Sequence, residues 1–335
     1  MCGFLGLMNH QGIMNQEQIW ELLRLIQHRG PDSQSVFCVG DGNGVFAFAR
    51  LSIIDLEGGT QPIYNEDRSI AVILNGEIYN YQELTEQLKA NGHQFHTNSD
   101  TEVLVHLYEE DGIGMLSRLR GMFAFALWDE KTGRLYLVRD RLGIKPLYYA
   151  VKNKMIGFAS EIKPMLRLPF VSKTLSEKAL KDFLNYGYVV APDTMFQDIY
   201  KLEPGHYLII ESEKIINKEY WDCSERHYIT DTTEKIEQKV IELLEESVRL
   251  HMRSDVPVGV FLSGGIDSGL IAAMAAKTTE QIETYTICFE DAAFDESEMA
   301  AKVAEKYRTK HHCYTVSSNR IKELFPKMMW AFDEP

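Results

Sequence analysis

The sequence predicts an α+β domain with antiparallel sheets, followed by part of an α/β domain with a doubly wound parallel sheet. In the first two thirds, short turns join the apolar runs, as in residues 122–159, and helical patterns come in blocks. Beyond residue 234, helical and strand patterns alternate. Short turns connect antiparallel strands, whereas parallel strands need a helix-length crossover. We therefore expect domains at 1–222 and 234–335, joined by a polar linker at 223–233.

Composition favours a soluble globular protein. The 335 residues are 45% hydrophobic and 25% charged, and the formal net charge is -14. An acidic chain has no general attraction to nucleic acid or to an anionic membrane surface. The sequence has neither a run of ~20 apolar residues nor the start of a signal peptide, so we expect a cytoplasmic protein. Five scattered cysteines indicate neither disulfides nor zinc, and His93 and His96 have no nearby companion ligands in the sequence.

The elements of the first domain follow from apolar spacing and turn residues. An apolar strand opens the chain and ends at Leu7. We expect helices at 16–28, 80–90, 100–110 and 176–185. We expect further strands at 36–39, 45–54, 70–74, 122–128, 134–138, 146–151 and 155–159, and others between 204 and 221. Asn75-Gly76 indicates a tight turn after the strand at 70–74, and Asn80 and Glu83 have the spacing of a capping box.

Two residues of this domain stand out chemically. If Met1 is removed, Cys2 carries a thiol and a free α-amine, which makes a nucleophile beside its own base. On position alone, a small semi-apolar residue that begins a strand is the more frequent interpretation. Arg50 interrupts an apolar strand. It is either an edge-strand charge or a guanidinium placed to bind a carboxylate.

In the second domain, the sequence predicts helices at 235–251, 267–277 and 297–307, strands at 256–262, 284–289 and 312–316, and a final helix. The first strand runs into Ser263-Gly264-Gly265-Ile266-Asp267-Ser268, directly before a helix. Glycines and a helix N-terminus together favour an anion site, and Asp267 is placed to hold Mg²⁺ against phosphate oxygens. The stretch matches neither a kinase-type P-loop nor a dinucleotide turn. A common glycine-rich turn is the alternative.

Taken together, these segments resemble the glutamine-dependent asparagine synthetases over essentially the whole chain. The first domain carries the class II glutaminase motifs Met1-Cys2-Gly3, His28-Arg29-Gly30-Pro31-Asp32, Arg50-Leu51-Ser52-Ile53-Ile54-Asp55, Asn75-Gly76-Glu77-Ile78-Tyr79-Asn80 and Ser99-Asp100-Thr101-Glu102. In the second domain, Ser263 to Ser268 is similar to the family's pyrophosphate loop. The closing Phe332-Asp333-Glu334-Pro335 also matches the family.

The resemblance implies an N-terminal-nucleophile hydrolase domain with an αββα sandwich. Cys2 would attack the glutamine carboxamide, and the Asn75 side chain and the Gly76 N–H would hold the oxyanion. The implied glutamine-binding residues are Arg50, Leu51, Ile53, Asn75, Glu77 and Asp100. Arg50 would take the α-carboxylate of glutamine, and Glu77 and Asp100 its α-ammonium.

The resemblance also implies that ATP and Mg²⁺ bind to the second domain, where AMP is transferred to the β-carboxylate of aspartate and ammonia displaces it. The implied ATP-binding residues are Leu262, Ser263, Gly264, Gly265, Asp267, Ser268 and Ile287, with Asp267 also as the Mg²⁺ ligand. Gly269 stands where many members have serine. Members continue well past this point with a second motif of the synthetase site, so we expect a truncated chain with a complete glutaminase half.

Several alternatives stay open at this point. An amidotransferase of the same architecture could act on another carboxylate, because the acceptor site is not in the sequence. A glutaminase-like remnant that only binds glutamine is a nonenzymatic alternative. The sequence leaves open the removal of Met1, the residues after Pro335, and the oligomeric state, with a homodimer as one option. The ligands expected are glutamine, aspartate and ATP, with no nucleic acid or membrane.

Overall fold

The computed structural model describes residues 2–9, 12–211, 214–224, 229–279, 281–291 and 295–334. The chain divides into two compact units, Met1–Glu225 with Phe332–Pro335, and Arg226–Ala331. Met1, on whose removal the Cys2 hypothesis depends, lies outside the described residues, as do Pro335 and part of the expected linker. The expected domain boundaries stay predictions.

Within its described residues, the first unit contains two six-stranded antiparallel sheets. The strands are β1 (Gly3–Met8), β2 (Ser33–Val39), β3 (Gly44–Arg50), β4 (Ile63–Tyr64), β5 (Ile70–Ile78), β6 (Gly121–Asp129), β7 (Arg134–Arg139), β8 (Tyr148–Lys152), β9 (Met155–Ala159), β10 (Tyr200–Lys201), β11 (His206–Glu211) and β12 (Lys214–Glu219). One sheet has the order β10-β8-β9-β1-β3-β2 and the other β12-β11-β7-β6-β5-β4. Strands β1–β3 and β8–β10 form the first sheet, and β4–β7 and β11–β12 form the second, so β1 and β5 lie in different layers.

Three apolar clusters show that helices cover the outer face of each sheet. The helices of this unit are α1 (Gln16–Arg24), α2 (Tyr81–Ala90), α3 (Glu102–Asp111), α4 (Ile162–Met165) and α5 (Glu177–Tyr186). Phe46 and Phe158 of one sheet pack with Ile73 and Leu137 of the other. Side chains of α1 and α4 pack on the first sheet, and side chains of α2 and α3 pack on the second. The predicted α+β class with an αββα sandwich is confirmed.

Two local predictions in this unit are wrong. Asn75-Gly76 forms no turn, because β5 continues to Ile78 and pairs with β6 along its whole length. The side chain of Asn80 does not cap α2, since its amide bonds instead to the backbone of Arg118 and Arg120, 2.9 Å away in each case. Both residues serve contacts with segments that lie about forty residues later, which local sequence patterns do not contain.

The second unit has an α/β architecture. Its elements are α6 (Thr233–His251), β13 (Gly259–Phe261), α7 (Ile266–Thr278), β14 (Glu283–Phe289), α8 (Ser297–Tyr307), β15 (Lys310–Val316) and α9 (Ser318–Phe332). The strands pair in parallel in the order β13-β14-β15, as the alternating pattern predicts. The expected first strand is shorter than predicted and begins only at Gly259. No helix of the described residues is long and apolar enough to span a bilayer.

Candidate functional site

A cavity of about 310 Å³ in the first unit is lined by every residue predicted to bind or process glutamine. Those residues are Cys2, Arg50, Leu51, Ile53, Asn75, Gly76, Glu77 and Asp100. The volume is at the lower end of the range for small-molecule sites. The cavity therefore unites segments from both sheets and from the loops after β3 and before α3.

Cys2 lies directly before β1, and its thiol meets the backbone where β3 ends. Its Sγ atom lies 3.4 Å from the N–H of Leu51, which donates to it, and 3.5 Å from the carbonyl of the same residue. Burial raises the pKa of the Cys2 thiol above its ordinary value, and the Leu51 hydrogen bond opposes this rise. A thiol in this place needs a nearby proton acceptor to become a nucleophile at neutral pH.

Arg50 ends β3 and is 5% exposed. Its guanidinium donates to the carbonyls of Leu56 and Ile54, at 3.1 and 3.2 Å, and to that of Asp55. These three carbonyls belong to one loop, so the guanidinium is fixed before any ligand arrives. A Cβ atom at Gly59 would lie 2.5 Å from Nη2 of Arg50, which explains a glycine at that position. A fixed planar fork suits a carboxylate ligand.

Asn75 and Gly76 lie in the middle of β5, facing Ala124 and Phe123 of β6. The side chain of Asn75 is fully buried, and neither of its amide atoms has a hydrogen-bond partner among the described residues. Buried polar groups are rarely left without partners, and exceptions are frequent at binding sites. Gly76 has φ of +151°, and a Cβ atom there would lie 2.1 Å from the Met122 carbonyl oxygen. Only glycine is compatible with this close approach.

Asp100 lies two residues before α3, with its carboxyl group buried against β5. Its Oδ2 atom accepts a hydrogen bond of 2.7 Å from the N–H of Ile78. Burial raises the pKa of Asp100 to about 7, and the charge of Glu77 adds to the rise. Glu77 itself is only half-buried on the same strand. Two carboxylates at one end of the cavity are suited to a ligand ammonium group.

Two further polar residues that no sequence motif indicated also line this cavity, Gln61 and Lys145. Gln61 is buried and bridges two walls, since its Oε1 accepts from Leu74 N–H at 2.6 Å and its Nε2 donates to Thr101 Oγ1 at 3.2 Å. Lys145 is 3% exposed, and burial lowers its pKa. A lysine directly before the strand predicted at 146–151 was a usable signal for Lys145. Nothing in the local sequence distinguishes Gln61.

The second unit has a cavity of about 870 Å³ at the carboxyl ends of its parallel strands. Four of the predicted ATP-binding residues line it, namely Leu262, Ser263, Ser268 and Ile287. The hydroxyl groups of Ser263 and Ser268 lie 2.8 Å apart and tie the two ends of the loop together. Ligands of open α/β sheets bind at this edge.

The remaining loop residues predicted for ATP and Mg²⁺ do not line that cavity. Gly264 donates its N–H to Glu296 Oε2 at 3.0 Å, so a carboxylate already uses one donor of the loop as an anion would. Gly265 caps α7, and Asp267 is exposed in the first turn of that helix. An exposed carboxylate beside serine hydroxyls fits a hard cation that keeps most of its water ligands.

Comparison with known proteins finds a family match in each of two parts of the chain. Residues 1–221 match the model of the glutamine amidotransferase domain, and residues 239–335 match that of asparagine synthase. Asparagine synthetase 1 (glutamine-hydrolyzing) of Bacillus subtilis is 38% identical over 100% of this chain and 53% of its own length. A provisionally named glutamine-hydrolyzing asparagine synthetase of Methanocaldococcus jannaschii is 34% identical over 100% of this chain and 68% of its own length.

A third relative carries a different name. Amidase chry2 of Gibberella zeae is 33% identical over 100% of this chain and 54% of its own length. The chain thus spans between about half and two thirds of the length of these three relatives. The glutamine amidotransferase domain matches residues 1–221, and a relative named as an asparagine synthetase is 34% identical over 68% of its own length. The chain therefore belongs to the family of glutamine-hydrolysing asparagine synthetases.

Proposed function

We propose that this chain hydrolyses glutamine at Cys2 and that the ammonia released amidates aspartate activated by ATP. The observation that carries the first step is the buried Asn75 amide, which has no hydrogen-bond partner among the described residues and lines the same cavity as Cys2, Arg50 and Asp100. An unpaired donor beside a nucleophile suits a charge that develops during the reaction.

In the proposed mechanism, Met1 is removed and the α-amine of Cys2 takes the thiol proton. The thiolate adds to the carboxamide carbon, and the oxyanion accepts hydrogen bonds from the Asn75 amide and the Gly76 N–H. The C–N bond then breaks, and ammonia leaves with the proton that the α-amine returns. Water adds to the γ-glutamyl thioester, the C–S bond breaks, and glutamate and the thiol are regenerated. The same donors stabilise both tetrahedral intermediates.

Binding of glutamine rests on charge complementarity at the two ends of the ligand. Arg50, fixed by the loop carbonyls, would pair with the α-carboxylate. Glu77 and Asp100 would pair with the α-ammonium, whose positive charge favours the ionised form of Asp100. Leu51 and Ile53 complete the wall of the same cavity.

In the second unit, the Ser263–Ser268 loop would take the phosphates of ATP, and Leu262 and Ile287 would flank the nucleotide. Asp267 would hold Mg²⁺, which neutralises phosphate charge when it is bound. The aspartate β-carboxylate attacks the α-phosphorus, pyrophosphate leaves, and ammonia then displaces AMP to give asparagine.

We further propose a cytoplasmic location, which five free cysteines support, and a homodimer, which light scattering tests.

Two assays separate the two halves of this proposal. The protein alone should release glutamate and ammonia from glutamine, and this activity should disappear in Cys2→Ala. With glutamine, ATP, Mg²⁺ and aspartate, the protein expressed with all residues that its gene encodes should form asparagine, AMP and pyrophosphate. Formation of ADP would overturn the adenylation step, and absence of glutamate release would overturn the glutaminase step.

The second candidate is an amidotransferase of the same architecture that acts on a different carboxylate. The amidase name of the Gibberella zeae relative favours keeping it, since its 33% identity is close to the 34% and 38% of two relatives named asparagine synthetase. A panel of carboxylates, each tested for pyrophosphate release with ammonia as the nitrogen source, distinguishes the two. Faster release with another acid than with aspartate would replace our proposal with this one.

A further inference from the structure

A cluster of two histidines and two glutamates lies in the first unit, and none of its members lines the glutamine cavity. Glu66 lies between β4 and β5, and His93 lies between α2 and α3. His106 and Glu109 lie one turn apart on α3. One ligand atom from each of the four lies within 4.8 Å of the others. Three segments that are distant in sequence therefore meet at one point.

The distances within the cluster match those between tetrahedral metal ligands. His93 Nδ1 lies 3.1 Å from Glu66 Oε1 and 3.8 Å from Glu109 Oε2. His106 Nδ1 lies 3.2 Å from Glu66 Oε2 and 3.5 Å from Glu109 Oε2. Ligands at about 2.0–2.1 Å from a tetrahedral zinc ion lie about 3.3–3.4 Å from one another. Only small side-chain movements would bring the two Nδ1 atoms, Glu109 Oε2 and one of the two Glu66 oxygens around one ion.

His106 gives a second observation that points to a ligand. Its side chain is fully buried, and carboxylate oxygens of Glu66, Glu109 and Glu102 lie 3.2, 3.5 and 3.6 Å from its ring nitrogens, but none is aligned for a hydrogen bond within the described chain. The ring of Phe95 packs against it with 4.5 Å between centroids, so one wall of the site is apolar. A buried imidazole with no hydrogen bond is costly unless another group satisfies it.

The Nε2 atoms of both histidines, which point away from the cluster, face carboxylates, as is typical of metal-binding histidines. His106 Nε2 lies 3.6 Å from Glu102 Oε1, and His93 Nε2 lies 3.7 Å from Glu110 Oε1. In metal sites such carboxylates accept a hydrogen bond from the outer nitrogen, and the two here lie just beyond that distance. In both rings Nδ1 is the nitrogen that approaches Glu66 and Glu109.

The two glutamates are also held in place from outside the cluster. Asn65 Nδ2 donates to Glu109 Oε1 at 2.9 Å, and Gln94 N–H donates to Glu66 Oε1 at 3.1 Å. Carboxylates held in this way are ordinary oxygen ligands of zinc.

We propose that Glu66, His93, His106 and Glu109 bind a structural Zn²⁺ ion. Two imidazoles and two carboxylates form a closed set of four protein ligands, as structural zinc sites require. The ion would fasten α3 to the turn before β5 and to the segment after α2. Since Asp100 lies two residues before α3, zinc would also steady one wall of the glutamine cavity. His93 has no companion ligand nearby in the sequence, because its partners lie 13 or more positions away.

Zinc binding tests the proposal without any use of enzyme activity. Untagged protein with alkylated cysteines is stripped with a chelator and titrated with Zn²⁺ against a chromophoric competitor. We expect one equivalent per chain and a rise in Tm of about 5–10 °C at a free Zn²⁺ concentration about 100-fold above Kd. Millimolar Mg²⁺ should give no such rise, because it disfavours imidazole ligands.

His93→Gln and Glu109→Gln should each weaken zinc binding at least about 10-fold and abolish the rise in Tm. Both side chains are partly exposed, so these variants are expected to fold where a change at His106 would not. His96→Gln, an exposed histidine of the same segment, is the matched control and should behave as the parent. Equal zinc affinity in His93→Gln and the parent, or no rise in Tm of the parent, would overturn the site and leave a metal-free charge network.

Discussion

Replacement of the Asp100 carboxyl by an amide should stabilise the fold and impair glutamine binding. Asp100→Asn keeps an oxygen that can accept the Ile78 N–H, and it removes a group whose ionisation is opposed by burial. A substitution that strengthens the fold while it weakens a binding site is typical of a residue retained for function. The two effects can be measured separately.

The size of the stabilising effect follows from the pKa of Asp100. The value rises from an ordinary 3.8 to about 7 in the folded protein, mainly through burial. The folded state therefore holds this proton more tightly than the unfolded state does. The stability it contributes is fully present below pH 3.8 and is lost as pH rises through about 7. Across that interval of about three pH units, the loss amounts to at most about 4 kcal/mol.

Urea unfolding at several pH values measures this difference. Tryptophan fluorescence suits the assay, because Trp20, Trp128 and Trp221 all lie in the first unit. We expect Asp100→Asn to match the parent near pH 4 and to exceed it by about 2–4 kcal/mol at pH 8. Asp111→Asn is the control, since its side chain is 38% exposed and pairs with Arg118 only at the surface. It should change stability by less than about 0.5 kcal/mol without a trend in pH.

Glutamine kinetics give the functional half of the same prediction. Below about pH 7 the parent should show a rising KM for glutamine, because a neutral carboxyl attracts the α-ammonium poorly. Asp100→Asn should show a high KM at every pH and no such dependence. Parallel stability curves of the two proteins between pH 4 and 8 would refute the reasoning, because the buried carboxyl would then have an ordinary pKa.

Three further substitutions test other parts of the site. Asn75→Ala should lower kcat for glutamine hydrolysis about 10²- to 10³-fold with little change in KM, measured by steady-state glutamate release, because one oxyanion donor is lost. Gly76→Ala should reduce the free energy of unfolding in urea by more than about 2 kcal/mol, because its Cβ would contact the Met122 carbonyl at a strained positive φ. Arg50→Lys should raise KM at least about 10-fold with a smaller effect on kcat, because an ammonium replaces the fixed fork.

The contradicting outcomes differ for the three. An unchanged kcat in Asn75→Ala would remove that side chain from the oxyanion site. A Gly76→Ala protein as stable as the parent would mean that β5 can move away from β6. A normal KM in Arg50→Lys would show that Arg50 serves to hold the loop through its carbonyls and does not bind the glutamine carboxylate. Met122→Leu changes a side chain of the same cavity but leaves its carbonyl, and it is a suitable control for the second variant.

The order and type of most elements could be predicted because apolar periodicity reports which face of a segment is buried. The two hairpins β6–β7 and β8–β9 are examples, since each is closed by a local turn. The roles of Asn75 and Asn80 were misread because short-range rules assign both to local turns and caps. In the folded chain both residues face β6 or the segment before it, so their conformation is set by contacts between distant segments.

The glutamine cavity was predictable to the extent that its residues occur in short motifs. The eight predicted residues come together, but Gln61 and Lys145 lie outside these motifs. The zinc ligands were missed for a related reason, because Glu66 and His106 are brought together only when α3 packs on the second sheet. The predicted Asp267 contact with Mg²⁺ stays a prediction.

The most direct test of the central claim is covalent labelling with an electrophilic glutamine analogue, followed by mass spectrometry of the N-terminal peptide. The account predicts a peptide that begins at Cys2 without Met1, with a single analogue attached to the Cys2 sulfur and with loss of all glutamate release. Excess glutamine should protect this site, whereas the exposed Cys38 should react slowly and without protection. An unlabelled Cys2 in a protein that still hydrolyses glutamine, or labelling that glutamine does not prevent, would contradict the assignment of Cys2 as the nucleophile.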